Sequence, residues 1–244
     1  MGLRLDKALL SRGLVETRSR ARDLIVRGAV QVSGLVETKP GMLVGDDAQI
    51  VLLEDAEYVS RGALKLVAAL DAFGFDPEGR RALDVGASTG GFTDVLLRRG
   101  AAHVTAVDVG HGQLHARLAG NPRVTSLEGR DARTLGEDDT GGPVAAIVAD
   151  VSFISLEKAL PSALRLAAPG AWLVALVKPQ FEAGRAAVGK GGVVRDEAVR
   201  AAKADKISAW VNSLPGWRVA GVVPSPVAGG SGNLEYLLGA TFDG

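Results

Sequence analysis

The chain has 244 residues, enough for one large domain with a small appendage, and its 47% hydrophobic content excludes a disordered or collagen-like chain. Twenty-eight Lys and Arg balance twenty-eight Asp and Glu, so any nucleic-acid surface must be a local patch. With no cysteine there is no disulfide framework, thiolate metal site or thiol nucleophile. The most apolar run, Ala171–Val177, is far shorter than the roughly 18 residues of a membrane span. The opening MGLRLDKALL lacks the apolar stretch of a signal peptide, so a soluble, cytoplasmic protein is expected. Aromatic residues are only 5%, which disfavours a binder that relies mainly on base stacking.

Residues 1–54 read as a module of their own. Leu3, Leu5, Leu9, Leu10 and Leu14 follow helical spacing, and Thr17 can cap a second short helix over Arg18–Arg27. Short β-type runs follow at Ala29–Val32 and Leu43–Leu53, set off by turns at Ser33-Gly34 and Pro40-Gly41. The result is a small α+β module of uneven charge. Arg4, Lys7, Arg12, Arg18, Arg20, Arg22 and Arg27 face only Asp6, Glu16 and Asp23 within the first 30 residues. These cations form either a solvated helix face or a phosphate-contacting surface.

Residues 55–80 read as a linker, with a leading helix inside Tyr58–Phe73. From Arg81 onward β runs alternate with helical ones. Strands are predicted at Ala82–Gly86, Val104–Val109, Val124–Leu127, Val144–Asp150 and Ala171–Val177, and helices at Gly91–Arg99, Leu156–Ala167 and Asp196–Asn212. Two strands, Val219–Val223 and Leu234–Gly239, close the chain. This alternation predicts an α/β, doubly wound sheet with helices on both faces.

In such a sheet, ligands bind at the carboxyl ends of the strands, and polar residues gather there. The turn after the first strand, Asp84 to Phe92, carries Gly86, Gly90 and Gly91, which let the backbone approach a ligand or simply turn tightly. Its spacing is not GxGxxG, which weakens a nicotinamide reading. Asp108, Asp131 and Asp150 stand at or just after three successive strand ends. A carboxylate there accepts hydrogen bonds from a ribose diol or else caps a helix. Lys178 emerges at the rim of a buried strand, Lys65 lies inside the apolar ALKLVAAL, and Glu235 stands within the last strand. Lys65 alone could snorkel to solvent. Glu182–Arg195, glycine-rich with Arg185 and Lys190, reads as a mobile basic loop over a site or an ordinary surface loop. His111 and His115 lack a third ligand on their face, so no metal site is expected, and there is no G-x-S-x-G elbow of a serine hydrolase.

These residues carry a resemblance. Asp84-x-Gly86 with acidic strand ends resembles class I S-adenosylmethionine-dependent methyltransferases. Lys65, Asp150, Lys178 and Glu235 fall where FtsJ-like ribose 2′-O-methyltransferases carry a Lys-Asp-Lys-Glu tetrad. Ser60–Lys65, Asp84–Phe92, Asp150–Leu156, Val177–Gly184 and Gly189–Val193 are similar to the TlyA family, bacterial ribosomal-RNA cytidine 2′-O-methyltransferases of which some bear the name haemolysin. Leu3–Asp6 through Val32 resembles the S4-type RNA-binding domain of that family. One departure is Val15-Glu16-Thr17, where the family pattern has small residues and a serine; it bears on RNA affinity.

The resemblance implies a class I methyltransferase fold over 81–244, Rossmann-like with a mostly parallel seven-stranded sheet, behind the small S4-type domain. It implies that Gly86, Ala87, Ser88, Thr89, Gly90 and Phe92 cradle the methionine part of S-adenosyl-L-methionine. Asp108 would hold its ribose, Asp131 would lie near the adenine, and Asp150 would lie beside the sulfonium. Lys65, Asp150, Lys178 and Glu235 would be catalytic, with Lys65 and Glu235 positioning the ribose and holding Lys178 by hydrogen bonds. Burial would favour a neutral, basic Lys178, whereas Asp150 would keep it charged, so general base and orienting cation both stay open. Arg4, Lys7, Arg18, Arg20, Arg22, Arg61, Arg185 and Lys190 would contact RNA, the partner being ribosomal RNA or ribosomal subunits. No membrane, metal or oligomer is required. The rivals are a membrane-lytic haemolysin, a non-catalytic RNA-binding assembly factor, and last a nicotinamide oxidoreductase.

Overall fold

The N-terminal leucines build the core of the first of two units, Met1–Arg61 and Gly62–Gly244, into which the chain divides. The computed structural model describes residues 2–15, 17–26, 28–53, 58–182, 192–229 and 232–244. In the first unit, β1 (Leu3–Arg4) leads directly into α1 (Leu5–Ser11), followed by α2 (Arg18–Val26), β2 (Val30–Val32), β3 (Leu35–Val36), β4 (Leu43–Val44) and β5 (Ile50–Leu52). Leu5, Leu9, Leu24, Ile25 and Val30 are fully buried together. The predicted first helix is shorter than its leucine spacing, because Leu3 and Arg4 pair with Val44 and Leu43 and the helix ends before Gly13 at φ +67°. The run Leu43–Leu53 is two strands, not one. Arg12 secures the intervening turn by donating to the carbonyls of Gly45 (2.9 Å) and Asp46 (3.1 Å).

In the second unit α3 (Ala63–Phe73) precedes β6 (Arg81–Val85), α4 (Gly91–Arg98), β7 (His103–Asp108), α5 (Ala116–Ala119), β8 (Val124–Glu128) and α6 (Glu137–Thr140). Then come β9 (Val144–Ala149), α7 (Leu156–Ala159), α8 (Pro161–Leu164), β10 (Ala167–Val177), α9 (Pro179–Glu182), α10 (Glu197–Ser213), β11 (Trp217–Pro224) and β12 (Tyr236–Phe242). The seven strands lie in the order β11-β12-β10-β9-β6-β7-β8. β10, β9, β6, β7 and β8 run parallel, and β12 is antiparallel to both its neighbours. This is the class I methyltransferase fold. Its central strands read as unbroken apolar runs because helices cover both faces, and Leu83, Ile147 and Leu173 are fully buried.

Three boundaries differ from the sequence reading. Leu156–Ala167 is not one helix: Pro161 cannot continue α7, so α8 starts there, and Ala167 already belongs to β10. The helix within Tyr58–Phe73 begins only at Ala63. Glu235 precedes β12 rather than lying inside it. Its carbonyl accepts the Ser225 amide at 2.9 Å, and the ladder starts one residue later with Tyr236 opposite Val177. Because β12 is antiparallel, its first residues reach the same sheet edge as the last residues of β10. That is how Glu235 and Lys178 come to share an edge.

Candidate active site

Between β6 and β9 the strand order reverses, and a cavity of about 380 Å³ opens at the carboxyl ends of β6–β9. Gly86, Ser88, Asp108, Gln113, Asp131 and Asp150 line it. Gly86 has φ +83°, and a Cβ there would stand 2.6 Å from the Asp150 carbonyl, so only glycine fits. Ala87 and Phe92 are buried, Gly90 caps α4, and the Thr89 carbonyl accepts the His115 amide at 3.2 Å. Those four residues build the turn, whereas Gly86 and Ser88 form cavity wall.

Main-chain amides fix the acids of this half. Asp108 Oδ2 accepts the Ser88 N–H at 2.8 Å and Oδ1 the Gly110 N–H at 2.7 Å, and each oxygen keeps lone-pair capacity for a further donor. Glu128, at the end of β8, accepts the amides of Gly112, Gln113 and Leu114, and these bonds, that of Gly112 first, hold its carboxyl below the ordinary range. Asp131 caps the single 3-10 turn Ala132–Thr134 and is gripped by the Arg133 fork, Nε at 2.9 Å from Oδ2, which pulls its carboxyl down to about 2. It is thus both a cap and part of the cavity wall.

The other half of the edge is built from side-chain pairs. Lys65 does not snorkel: buried in α3, its Nζ lies 2.6 Å from Glu235 Oε2. Lys178 Nζ lies 2.6 Å from Asp150 Oδ1, an ion pair without good hydrogen-bond direction, and donates to Ser152 Oγ at 2.9 Å. Lys178 is therefore held by Asp150 and Ser152 rather than by Lys65 or Glu235. Gln180 Nε2 is 3.4 Å from the second oxygen of Glu235. The Phe181 ring centroid lies 5.8 Å from Lys178 Nζ and 5.0 Å from that of Phe153. Phe153 is 90% exposed and adopts φ +65°, a conformation rarely taken by a bulky side chain.

The predicted RNA contacts lie elsewhere. Arg4 Nε is 3.1 Å and Arg18 Nη2 2.9 Å from the carboxylate of Asp6, which is fully buried, so one acid aims two exposed arginines. Lys7, Arg22 and Arg61 are exposed, and Arg20 pairs with Asp23 at 3.1 Å. Arg185 and Lys190 lie outside the described residues. Among the described residues no group of three His, Asp or Glu could hold a metal, and no helix is long and apolar enough to cross a membrane.

Residues 58–242 match the FtsJ-like methyltransferase model and residues 3–50 the S4 domain. The chain belongs to the FtsJ-like methyltransferase family. It is 49% identical, over 96% of its length and 88% of the relative's, to the 16S/23S rRNA (cytidine-2′-O)-methyltransferase TlyA of Mycobacterium tuberculosis. It is 39% identical, over 96% of its length and 98% of the relative's, to Hemolysin A of Brachyspira hyodysenteriae. A solved Streptococcus thermophilus structure described as a hemolysin superposes with TM-score 0.76 at 40% identity, covering 99% of this chain and 88% of that one.

For an FtsJ-like chain, sequence reasoning missed the residues around the two ion pairs. Ser152, Phe153, Gln180 and Phe181 were visible only as parts of similar segments. A signal existed: polar Ser152 and Gln180 each stand two residues beyond a charged strand end. Gln113 carried none, since it reaches the cavity from the loop after β7.

Proposed function

We propose that this chain transfers a methyl group from S-adenosyl-L-methionine to the 2′-hydroxyl of a cytidine ribose in ribosomal RNA. The observation that carries this reading is the pairing of Lys178 with Asp150 and of Lys65 with Glu235 beside the cavity of the cofactor fold. The curated TlyA relative bears that activity in its name. The hemolysin relatives contribute a name without a site for it.

The residues present fit the cofactor. Asp108, with both oxygens pre-aimed by amides, suits a ribose diol, and Gly86, which only glycine can occupy against the Asp150 carbonyl, lines the cavity wall. Asp131 on the cavity wall suits the adenine side. When bound, S-adenosyl-L-methionine supplies an electrophilic methyl group to an oxygen arriving in line with the C–S bond. The chain must then present the oxygen. Lys178 donates to Ser152 and is ion-paired with Asp150, which keeps donor capacity on its Nζ for the 2′-oxygen. Its donor to the 2′-oxygen orients a lone pair toward the methyl group; the oxygen's proton becomes acidic as the C–O bond forms and is lost to water. Lys65 and Glu235 fix the neighbouring part of the ribose.

A nucleotide reaches such a site only when drawn out of its helix, at about a few kcal/mol. Phe153, exposed beside Phe181, offers its ring to the extruded base. Arg4 and Arg18, aimed by Asp6, supply phosphate contacts from the first unit, with Lys7, Arg20, Arg22 and Arg61 on the same unit. The test is radiolabelled S-adenosyl-L-methionine with unmodified small subunits, large subunits and bare ribosomal RNA in parallel. Label recovered in an alkali-resistant dinucleotide is the expected result, since 2′-O-methylation blocks alkaline cleavage. Bound cofactor with no label in any substrate would overturn the reading in favour of a binding factor.

A further inference from the structure

Glu182 is 9% exposed and closes α9, the turn that follows Lys178. Its Oε1 accepts the Leu156 amide at 2.9 Å across 26 residues of sequence, and its Oε2 has no hydrogen-bond partner among the described residues. Burial pushes its carboxyl up from the ordinary range. A residue needed only for packing would be apolar here, since a buried, half-satisfied carboxylate is costly. What a carboxylate does that a leucine cannot is accept that amide. Leu156 is the first residue of α7, and the segment before it, residues 151–155, holds Ser152 and Phe153. Three ties therefore join residues 151–156 to the single turn 178–182: Ser152 to Lys178, Phe153 to Phe181, and Leu156 to Glu182. The first two are partly exposed, and only the third is a fully buried hydrogen bond. A left-handed Phe153 persists only where its surroundings over-determine it.

We propose that Glu182 is a positioning residue, which fixes residues 151–155 against the Lys178 turn and so stands Phe153 where it meets the nucleobase of the substrate. This rests on the stacking role given above to Phe153. The experiment compares Glu182→Ala, Glu182→Gln, Phe153→Ala and Glu182→Ala/Phe153→Ala in the full chain. It reads amide hydrogen exchange over residues 151–156, cofactor Kd, and kcat and KM with RNA.

With Glu182→Ala, exchange at Leu156 should accelerate about tenfold or more, and kcat/KM for RNA should fall about tenfold while cofactor Kd stays within about twofold. Glu182→Gln keeps a carbonyl acceptor and should recover kcat/KM to within about threefold of wild type. In the Phe153→Ala background, Glu182→Ala should cost little more, because both act through one segment. Unchanged exchange at Leu156, an equal loss of cofactor affinity, failure of glutamine to rescue, or fully multiplicative losses in the double variant would each overturn the proposal. Full activity of Phe153→Ala would overturn the stacking role itself, with exchange at Leu156 still reporting on the tie.

Discussion

The two halves of the sheet edge hold their charges by different means. At the ends of β7 and β8, Asp108 and Glu128 are anchored by five main-chain amides between them, within loops that the strands themselves deliver. At the ends of β9 and β10 and the start of β12, the charges are held by one another: Lys178 by Asp150 and Ser152, Lys65 by Glu235. A main-chain anchor survives any substitution of the donor residue except proline, which suits that half to the constant ligand proposed for it. A side-chain pair fails when either member is lost, but it can place several donors around one reacting oxygen. The difference predicts that substitutions in the first half cost affinity, and those in the second cost rate or stability.

The largest effect is expected at Lys178. Lys178→Ala should lower kcat by about a thousandfold or more, the scale of losing a preorganised donor to the reacting atom, with cofactor Kd within about twofold. A variant that kept most of its rate would move the chemistry away from this pair. The pH profile sharpens the point: an orienting ammonium leaves kcat level between about pH 7 and 9, whereas a general base makes it climb.

Next is the buried pair of Lys65 and Glu235, whose side chains are 9% and 2% exposed. Lys65→Ala or Glu235→Ala strands a charge in the interior and should cost about 3–5 kcal/mol of stability, read by urea unfolding. Lys65→Met with Glu235→Leu should be less destabilised than either single variant yet remain inactive. Tryptophan fluorescence isolates this unit, because Trp172, Trp210 and Trp217 all lie within it. Equal losses in single and double variants would show that the pair is not what holds this half together.

The same contrast explains what could be read from the sequence. Asp108 and Asp131 were legible because they follow apolar strands within a few residues, as in the pattern Val104–Asp108, whereas Glu128 at the end of β8 was not. The doubly wound sheet followed from the same alternation. The pairings of the other half were not, since Lys65 and Glu235 are 170 residues apart and only the antiparallel insertion of β12 beside β10 brings them together. Each of the four residues stood out alone, as a charge at a strand end or inside an apolar run, and only the resemblance grouped them. Pro161, by contrast, is visible in the sequence, but apolar continuity through Leu156–Ala167 disguises two short helices as one. Leu3 looked helical because five leucines share a period, but the strand partner that claims it, Val44, is 41 residues away.

In the cofactor half, Asp108→Ala should raise cofactor Kd about tenfold to a hundredfold, the loss of a charged hydrogen-bond acceptor, while kcat at saturating cofactor stays within about threefold. Isothermal titration measures the first and label transfer the second. An unchanged Kd would remove Asp108 from the binding site and leave its two amides as a purely structural anchor.

The smallest effect tests where this half departs from its own rule. Asp84 on β6 is fully buried; Oδ2 accepts the Thr93 hydroxyl at 2.6 Å and Oδ1 has no hydrogen-bond partner among the described residues. Burial raises its carboxyl to about 7, with Asp150 and Asp108 adding to the shift and Thr93 opposing it. In the unfolded chain an aspartate ionises near about 3.9, so between those values the folded state binds more protons than the unfolded one. The contribution is therefore fully present below about pH 4 and declines as pH rises through about 7. Between about pH 6 and 8 it should cost the wild type on the order of 1 kcal/mol, the value of one pH unit of unmatched proton uptake. Asp84→Asn removes the titration, so its unfolding free energy should lack that decline. Parallel slopes for the two proteins would mean that Asp84 is already ionised in the fold, its charge carried by Thr93 as the amides carry Asp108.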